Sequence, residues 1–222
     1  PGWIRDFRDH LGEALGRAND TPGFLTARLF AEFRKPLNDF ITLFFGDVFT
    51  YLDERGTAEA PGQIVTAVLD TLAAAKKARP DEPLIVLSHS MGGQIVYDLV
   101  TWFLPQIPHF RDLRIDFWCA TASQVGLFEE LKLFLASKEQ YGSNMAEKLV
   151  PYPDKKHLGA WWNVWDPNDF LSYTAHDIIT GLSDESYSSG MSLLKAHGGY
   201  LERPSFFREF GDEVLKAKIN NW

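Results

Sequence analysis

The chain has 222 residues, 45% of them hydrophobic, 14% aromatic and 23% charged, enough apolar surface to build one core and too much for disordered or collagen-like architectures. Lys and Arg number 22 against 30 Asp and Glu, a net charge of −8; the summed field repels phosphate backbones and anionic lipid, so no nucleic acid partner is expected. The single cysteine, Cys119, cannot close an internal disulfide, and no Cys/His cluster has zinc-ligand spacing, which points to a reducing, cytoplasmic setting and to no metal.

Pro1-Gly2-Trp3-Ile4-Arg5-Asp6 lacks the basic start and apolar run of a secretion signal. No stretch approaches the ~20 apolar residues of a membrane span. A start at Pro rather than Met suggests that something upstream has been lost. Apolar residues at helical spacing predict amphipathic helices over Trp3 to Leu15 and Phe24 to Phe33, with a turn at Asn19 to Gly23 between them. The Phe-rich stretch Leu37 to Leu52 reads as buried, either helix or strand. Ile64, Val65, Val68, Leu69 and Leu72 predict a further helix over Gln63 to Lys77, stopped by Pro80.

Leu84 to Leu87 is a short continuous apolar run, suited to a strand covered on both faces. Ser88-His89-Ser90-Met91-Gly92-Gly93 turns from it into a helix that runs to Leu104. Buried strands are also predicted at Ile115 to Ala120 and Trp161 to Trp165. Strands separated by helices argue for an α/β domain with a mostly parallel sheet, occupying 1–222 as a single domain. Cys119, inside the second strand, reads as a small core hydrophobe, and the seven tryptophans mainly as core.

A serine at the apex of a sharp strand-to-helix turn projects above the sheet, beside the unpaired N–H groups of a helix N-terminus, where an oxyanion can be stabilised. Ser90 occupies that apex, with Ser88 two residues before it and Gly92 two after. Ser88 is the poorer nucleophile candidate because it falls at the strand end.

This segment resembles the nucleophile elbow of the α/β-hydrolase family, and His-Ser-Met-Gly-Gly resembles its intracellular lipase-like serine esterases. The first glycine of the usual Gly-x-Ser-x-Gly is serine here. The resemblance runs from Phe45 to Phe207 and implies a histidine base and an orienting carboxylate, both after the serine. His10 lies upstream, His89 lies inside the turn and His109 follows a proline-broken helix end, which leaves His157, His176 and His197. His197, in Lys195-Ala196-His197-Gly198-Gly199, resembles the family's last flexible loop, before a final helix starting near Pro204. His176, beside Asp177, reads as a helix-surface residue.

The resemblance also puts the acid just beyond a strand, and Trp161 to Trp165 leads into Asp166-Pro167-Asn168-Asp169-Phe170-Leu171-Ser172. Asp169, followed by an apolar pair and a serine, is favoured; Asp166, before a proline, is the alternative. Asp154 and Asp184 read as solvated surface. The Met91 N–H would supply one oxyanion donor. The second would come from a His-Gly loop that the sequence upstream of Ser90 lacks, although Pro1-Gly2-Trp3 looks like its tail. Asn19 to Phe33 also lacks the β run that the family usually has there.

Leu127, Leu131, Phe134 and Leu135 form an apolar stripe over Leu127 to Ser137, read as a lid within 127–157 or, equally, as a helix packed on the sheet. A polar excursion from Gly142 to Lys156 follows. The resemblance implies hydrolysis of a small-molecule or lipid-like carboxylic ester or thioester, with no cofactor. An acyltransferase using the same residues, and a catalytically dead binding module on this fold, remain alternatives.

Overall fold

The structure, a computed structural model, describes residues 42, 44–141, 149–192 and 195–221. The chain divides into two compact units, Pro1–Phe44 and Phe45–Trp222, and the sheet lies in the second. The helices expected at Trp3 to Leu15 and Phe24 to Phe33, the turn between them, the loop remnant at Pro1 to Trp3 and the start of the polar excursion at Gly142 to Asn144 lie outside the described residues.

The described part of the Phe-rich stretch is helical, as helix α1, 44–54, with one side buried, including Val48 and Tyr51, and residues 46, 47 and 50 exposed. Helix α2, Gln63–Ala78, buries the stripe Val65, Leu69 and Leu72 and ends two residues before Pro80. Strand β1, Ile85–His89, passes through Ser90 into helix α3, Met91–Asp98. The same coil widens into a π-helical segment at Leu99–Phe103 and closes with Leu104–Gln106. Pro105 falls in the last turn of this coil, which ends at Gln106. Strands β2, Ile115–Thr121, and β3, Leu158–Trp165, coincide with the two other apolar runs, each extended by one to a few residues.

A fourth strand, β4, Ser183–Ser186, was not expected from its polar sequence. The described strands form one all-parallel sheet in the order β1-β2-β3-β4. With helices packed on it, this is the α/β class.

Alternation along the strands separates two faces. On one, Phe117, Cys119, Trp162 and Val164 pack with Tyr187, Tyr200 and Phe206. Phe206 lies on the closing helix α6, Pro204–Asn221, and its ring stacks on Trp162 at 6.0 Å. On the other, Trp118 and Trp161 are register partners and stack at 4.5 Å and 17°; Tyr97 of α3 covers Trp161 at 5.7 Å. Cys119 is a free, fully buried thiol in the first face.

The helix expected over Leu127 to Ser137 is shorter: α4 is Val125–Glu130. The chain then turns through Lys132, which has a positive φ of 55°. Phe134 nevertheless returns to the core, 4.5 Å from the Tyr97 ring and 5.5 Å from Phe128. Helical spacing persisted past the helix because the turn delivers Phe134 to the same apolar layer. Asp184 is likewise no solvated surface residue, since its carboxylate accepts bonds from Thr174 Oγ1 at 2.7 Å and from the N–H groups of Ala175 and His176 at 2.6 Å each. Among the described residues no helix is long and apolar enough to cross a membrane.

Candidate active site

The turn between β1 and α3 is held by its backbone. Ser90 N–H donates to Thr121 O at 2.9 Å, and Gly93 N–H donates to Ser90 O at 2.8 Å. Between these anchors Ser90 adopts φ 54°, ψ −127°, a conformation that costs a non-glycine residue about 1–3 kcal/mol and persists only where the surroundings enforce it. Gly93 lets the helix come close to the loop after β2: a Cβ there would lie 2.7 Å from Ser123 Cβ. Met91 is the first residue of α3, so its N–H has no acceptor one helical turn back.

Ser88 has a structural task. Its Oγ accepts the Trp118 indole N–H at 2.8 Å, and its carbonyl accepts the Thr121 hydroxyl at 3.0 Å. It is also 8% exposed.

Ser90 Oγ lies 2.8 Å from His197 Nε2. His197 Nδ1 lies 2.9 Å from Asp169 Oδ2 and 3.1 Å from Oδ1. Ionised Asp169 can only accept, so Nδ1 carries the proton and Nε2 is left as the acceptor of the serine hydroxyl. His197 was expected in a flexible loop; it lies instead in the four-residue helix α5, Ala196–Gly199. Gly199 permits close approach there, since a Cβ on it would sit 2.8 Å from Ser189 Cβ.

The two aspartates divide the work. Asp169, 3% exposed, also accepts Leu171 N–H at 3.0 Å and the Tyr200 hydroxyl at 3.4 Å, bonds that fix the carboxylate relative to the ring. Burial, chiefly, raises the Tyr200 phenol above its ordinary range, with the Asp169 charge adding to it; Tyr200 therefore stays a neutral donor. Asp166, 1% exposed, accepts Asn168 N–H at 2.9 Å and Ser189 N–H at 2.8 Å. Its bonds tie the loop after β3 to the segment ahead of α5. The structure brings Ser90, His197 and Asp169 into one relay beside Met91, and leaves Asp166 as a loop anchor.

His157 and His176 are placed apart from it. His157 is buried and Nδ1 donates to Leu113 O at 3.2 Å. His176 is an exposed turn residue, rather than a helical one, 2.8 Å from Asp177. His89 is different, with Nε2 2.5 Å from the carbonyl oxygen of His197 and the two imidazoles 4.8 Å apart, edge to face. Burial lowers the His89 pKa first, the neighbouring imidazole lowers it further, and the carbonyl bond and Asp169 oppose the shift. Sequence reasoning missed His89 and Tyr200; the adjacency of His89 to Ser90 was the one signal available. Among the described residues no group of three or more His, Cys, Asp or Glu side chains is arranged to hold a metal ion.

No protein-family model matches the chain, and no curated protein or solved structure does either. The relay can nonetheless be read chemically on its own terms. It supplies a hydroxyl with a base in contact, a carboxylate that stabilises the charged base, and a helix N-terminus beside the point where negative charge would build.

Proposed function

We propose that this chain is a serine hydrolase of the α/β-hydrolase type, related to lipase-like esterases, that cleaves a carboxylic ester or thioester. The observation that carries the reading is the unbroken Ser90–His197–Asp169 relay, at 2.8 and 2.9 Å, mounted on a strained strand-to-helix turn. A parallel sheet with its serine turn at the C-terminal end of β1 supports it, because sites in such sheets form beyond the carboxyl ends of the strands.

In this reading Ser90 Oγ attacks the substrate carbonyl while His197 Nε2 takes its proton. The carbonyl oxygen becomes negative and receives the Met91 N–H; Asp169 stabilises the imidazolium without taking up the proton itself. The tetrahedral adduct collapses, the bond to the alcohol or thiol breaks, and His197 returns the proton to the departing group. Water then attacks the acyl-serine with His197 again as base, releasing the acid and restoring Ser90. A neutral ester agrees with a chain whose net charge of −8 disfavours strongly anionic substrates.

The test is turnover of a short p-nitrophenyl ester by the full chain. The expected result is a burst of p-nitrophenol followed by steady release, both lost in Ser90→Ala. Turnover unchanged in Ser90→Ala would contradict the reading. Products carried onto an added alcohol in preference to water would convert it to acyl transfer at the same residues.

A further inference from the structure

We propose that His89 is a positioning residue for this reaction: its Nε2–H, bonded to the backbone carbonyl of His197, holds the base against the serine. The inference rests on the function proposed above, and concerns how its base is kept in place.

The tautomer follows from the partner. A carbonyl oxygen can only accept, so at 2.5 Å Nε2 of His89 must carry the proton. His89 is the last residue of β1, and Ser90 follows it directly. The contacts therefore close a small ring. Ser90 is joined to His89 through the chain, His89 Nε2 bonds the carbonyl of His197, and His197 Nε2 bonds Ser90 Oγ at 2.8 Å. One histidine thus ties the backbone of the base to the residue beside the nucleophile.

Such a tether matters because of where His197 sits. It lies on the four-residue helix α5, not on a strand of the sheet. The His89 bond brings a side-chain donor from β1 to the backbone of that short helix. The bond that His197 Nδ1–H donates to Asp169 fixes the imidazole ring, but it does not tie the α5 backbone to β1; the His89 bond does. The His89 imidazole also meets the His197 ring edge to face at 4.8 Å and the Tyr200 ring at 6.4 Å. It therefore walls one side of the base as well as tethering it. A neutral ring suits this place, because a second positive charge there would oppose the imidazolium that forms during turnover. Burial and the His197 neighbour both act in that direction.

The test compares His89→Leu, which removes the donor, with His89→Gln, whose terminal amide can donate at a reach similar to Nε2, and His89→Asn, whose amide is too short. Each variant and the wild type are assayed for the rate of labelling by a fluorophosphonate, for kcat and KM on a p-nitrophenyl ester, and for Tm. Loss of one positioning hydrogen bond to the reacting base is expected to slow labelling and kcat by roughly 10-fold or more in His89→Leu and His89→Asn. KM should hold, and His89→Gln should recover most of the rate.

Equal labelling rates in the wild type, His89→Asn and His89→Gln would overturn the inference, as would rate losses in all three that track a fall in Tm. If His89→Leu does not fold, the Asn and Gln pair decides. A wild-type chain that is not labelled at Ser90 would instead overturn the hydrolase reading, and the role of His89 with it.

Discussion

The backbone N–H of Asp169 donates to the carbonyl of Asp166 at 2.9 Å, so two buried carboxylates leave a single tight turn and still serve different partners. Asp169 faces the His197 ring, and Asp166 faces backbone N–H groups of its own loop and of Ser189. Three residues of spacing within a turn is enough to give the two carboxylates separate directions.

Asp169→Asn should therefore lower kcat by about 10³- to 10⁴-fold, because an amide that donates to Nδ1 would favour the wrong tautomer of His197. Tm should change little. Asp166→Asn should act the other way round, keeping most of kcat while costing about 1–3 kcal/mol of stability through a buried N–H left facing a donor. Steady-state kinetics and thermal unfolding of both variants check the pair; a reversed pattern would give the orienting role to Asp166.

Ser88→Ala separates the two serines of the turn. It removes the acceptor of the Trp118 indole and should cost about 1–3 kcal/mol by leaving a buried donor unpaired, with labelling at Ser90 retained. Chemical denaturation read alongside labelling tests this; loss of labelling in a folded Ser88→Ala would move the nucleophile to Ser88.

Phe134 distinguishes core from lid. Packed on Tyr97 and Phe128 and 4% exposed, it should cost about 3–5 kcal/mol when replaced by Ala. Leu131→Ala, at a residue 42% exposed, should cost far less. Denaturant unfolding of the two variants measures the contrast. A Phe134→Ala variant with wild-type stability and an altered KM for long-chain esters would restore the lid.

The buried pair of Arg55 and Asp98, at 2.7 Å with side chains 12% and 0% exposed, gives a pH test. Tyr51 also donates to Asp98 Oδ2 at 2.9 Å. Burial raises the Asp98 pKa, and Arg55 is the largest influence lowering it. Arg55→Leu strands a buried carboxylate, at a cost of about 3–5 kcal/mol at neutral pH. With the folded-state pKa above the unfolded one, the folded state holds the proton more tightly. The loss should be smallest at acid pH, where Asp98 is protonated, and should grow as pH rises through the folded-state value. Thermal unfolding across pH checks the sign; a loss that shrinks with rising pH would contradict it.

Much of the scaffold was legible because its strands read as continuous apolar runs, as at Leu84 to Leu87 and Ile115 to Ala120; β2 is buried on both faces, whereas the expectation of a strand covered on both faces fails for β1, where Ile85 and Leu87 are each 38% exposed. Strand β4 was not, because Ser183-Asp184-Glu185-Ser186 joins the sheet by backbone pairing with β3 and buries little that periodicity could register. The α4 helix was read too long because Phe134 keeps helical spacing after the chain has turned. Ser90 was legible from local chemistry, since apex, strand and helix are contiguous. The choice between Asp166 and Asp169 turns on side-chain directions within a loop. The bond from His89 to His197 spans 108 positions and leaves no local trace.

The most direct measurement is intact-mass analysis and peptide mapping of the full chain after reaction with a fluorophosphonate at neutral pH. A single adduct is expected, on Ser90, formed fast in the wild type, absent in Ser90→Ala and strongly slowed in His197→Ala and Asp169→Asn. A folded wild-type chain that stays unmodified, or an adduct that persists in Ser90→Ala, would contradict it.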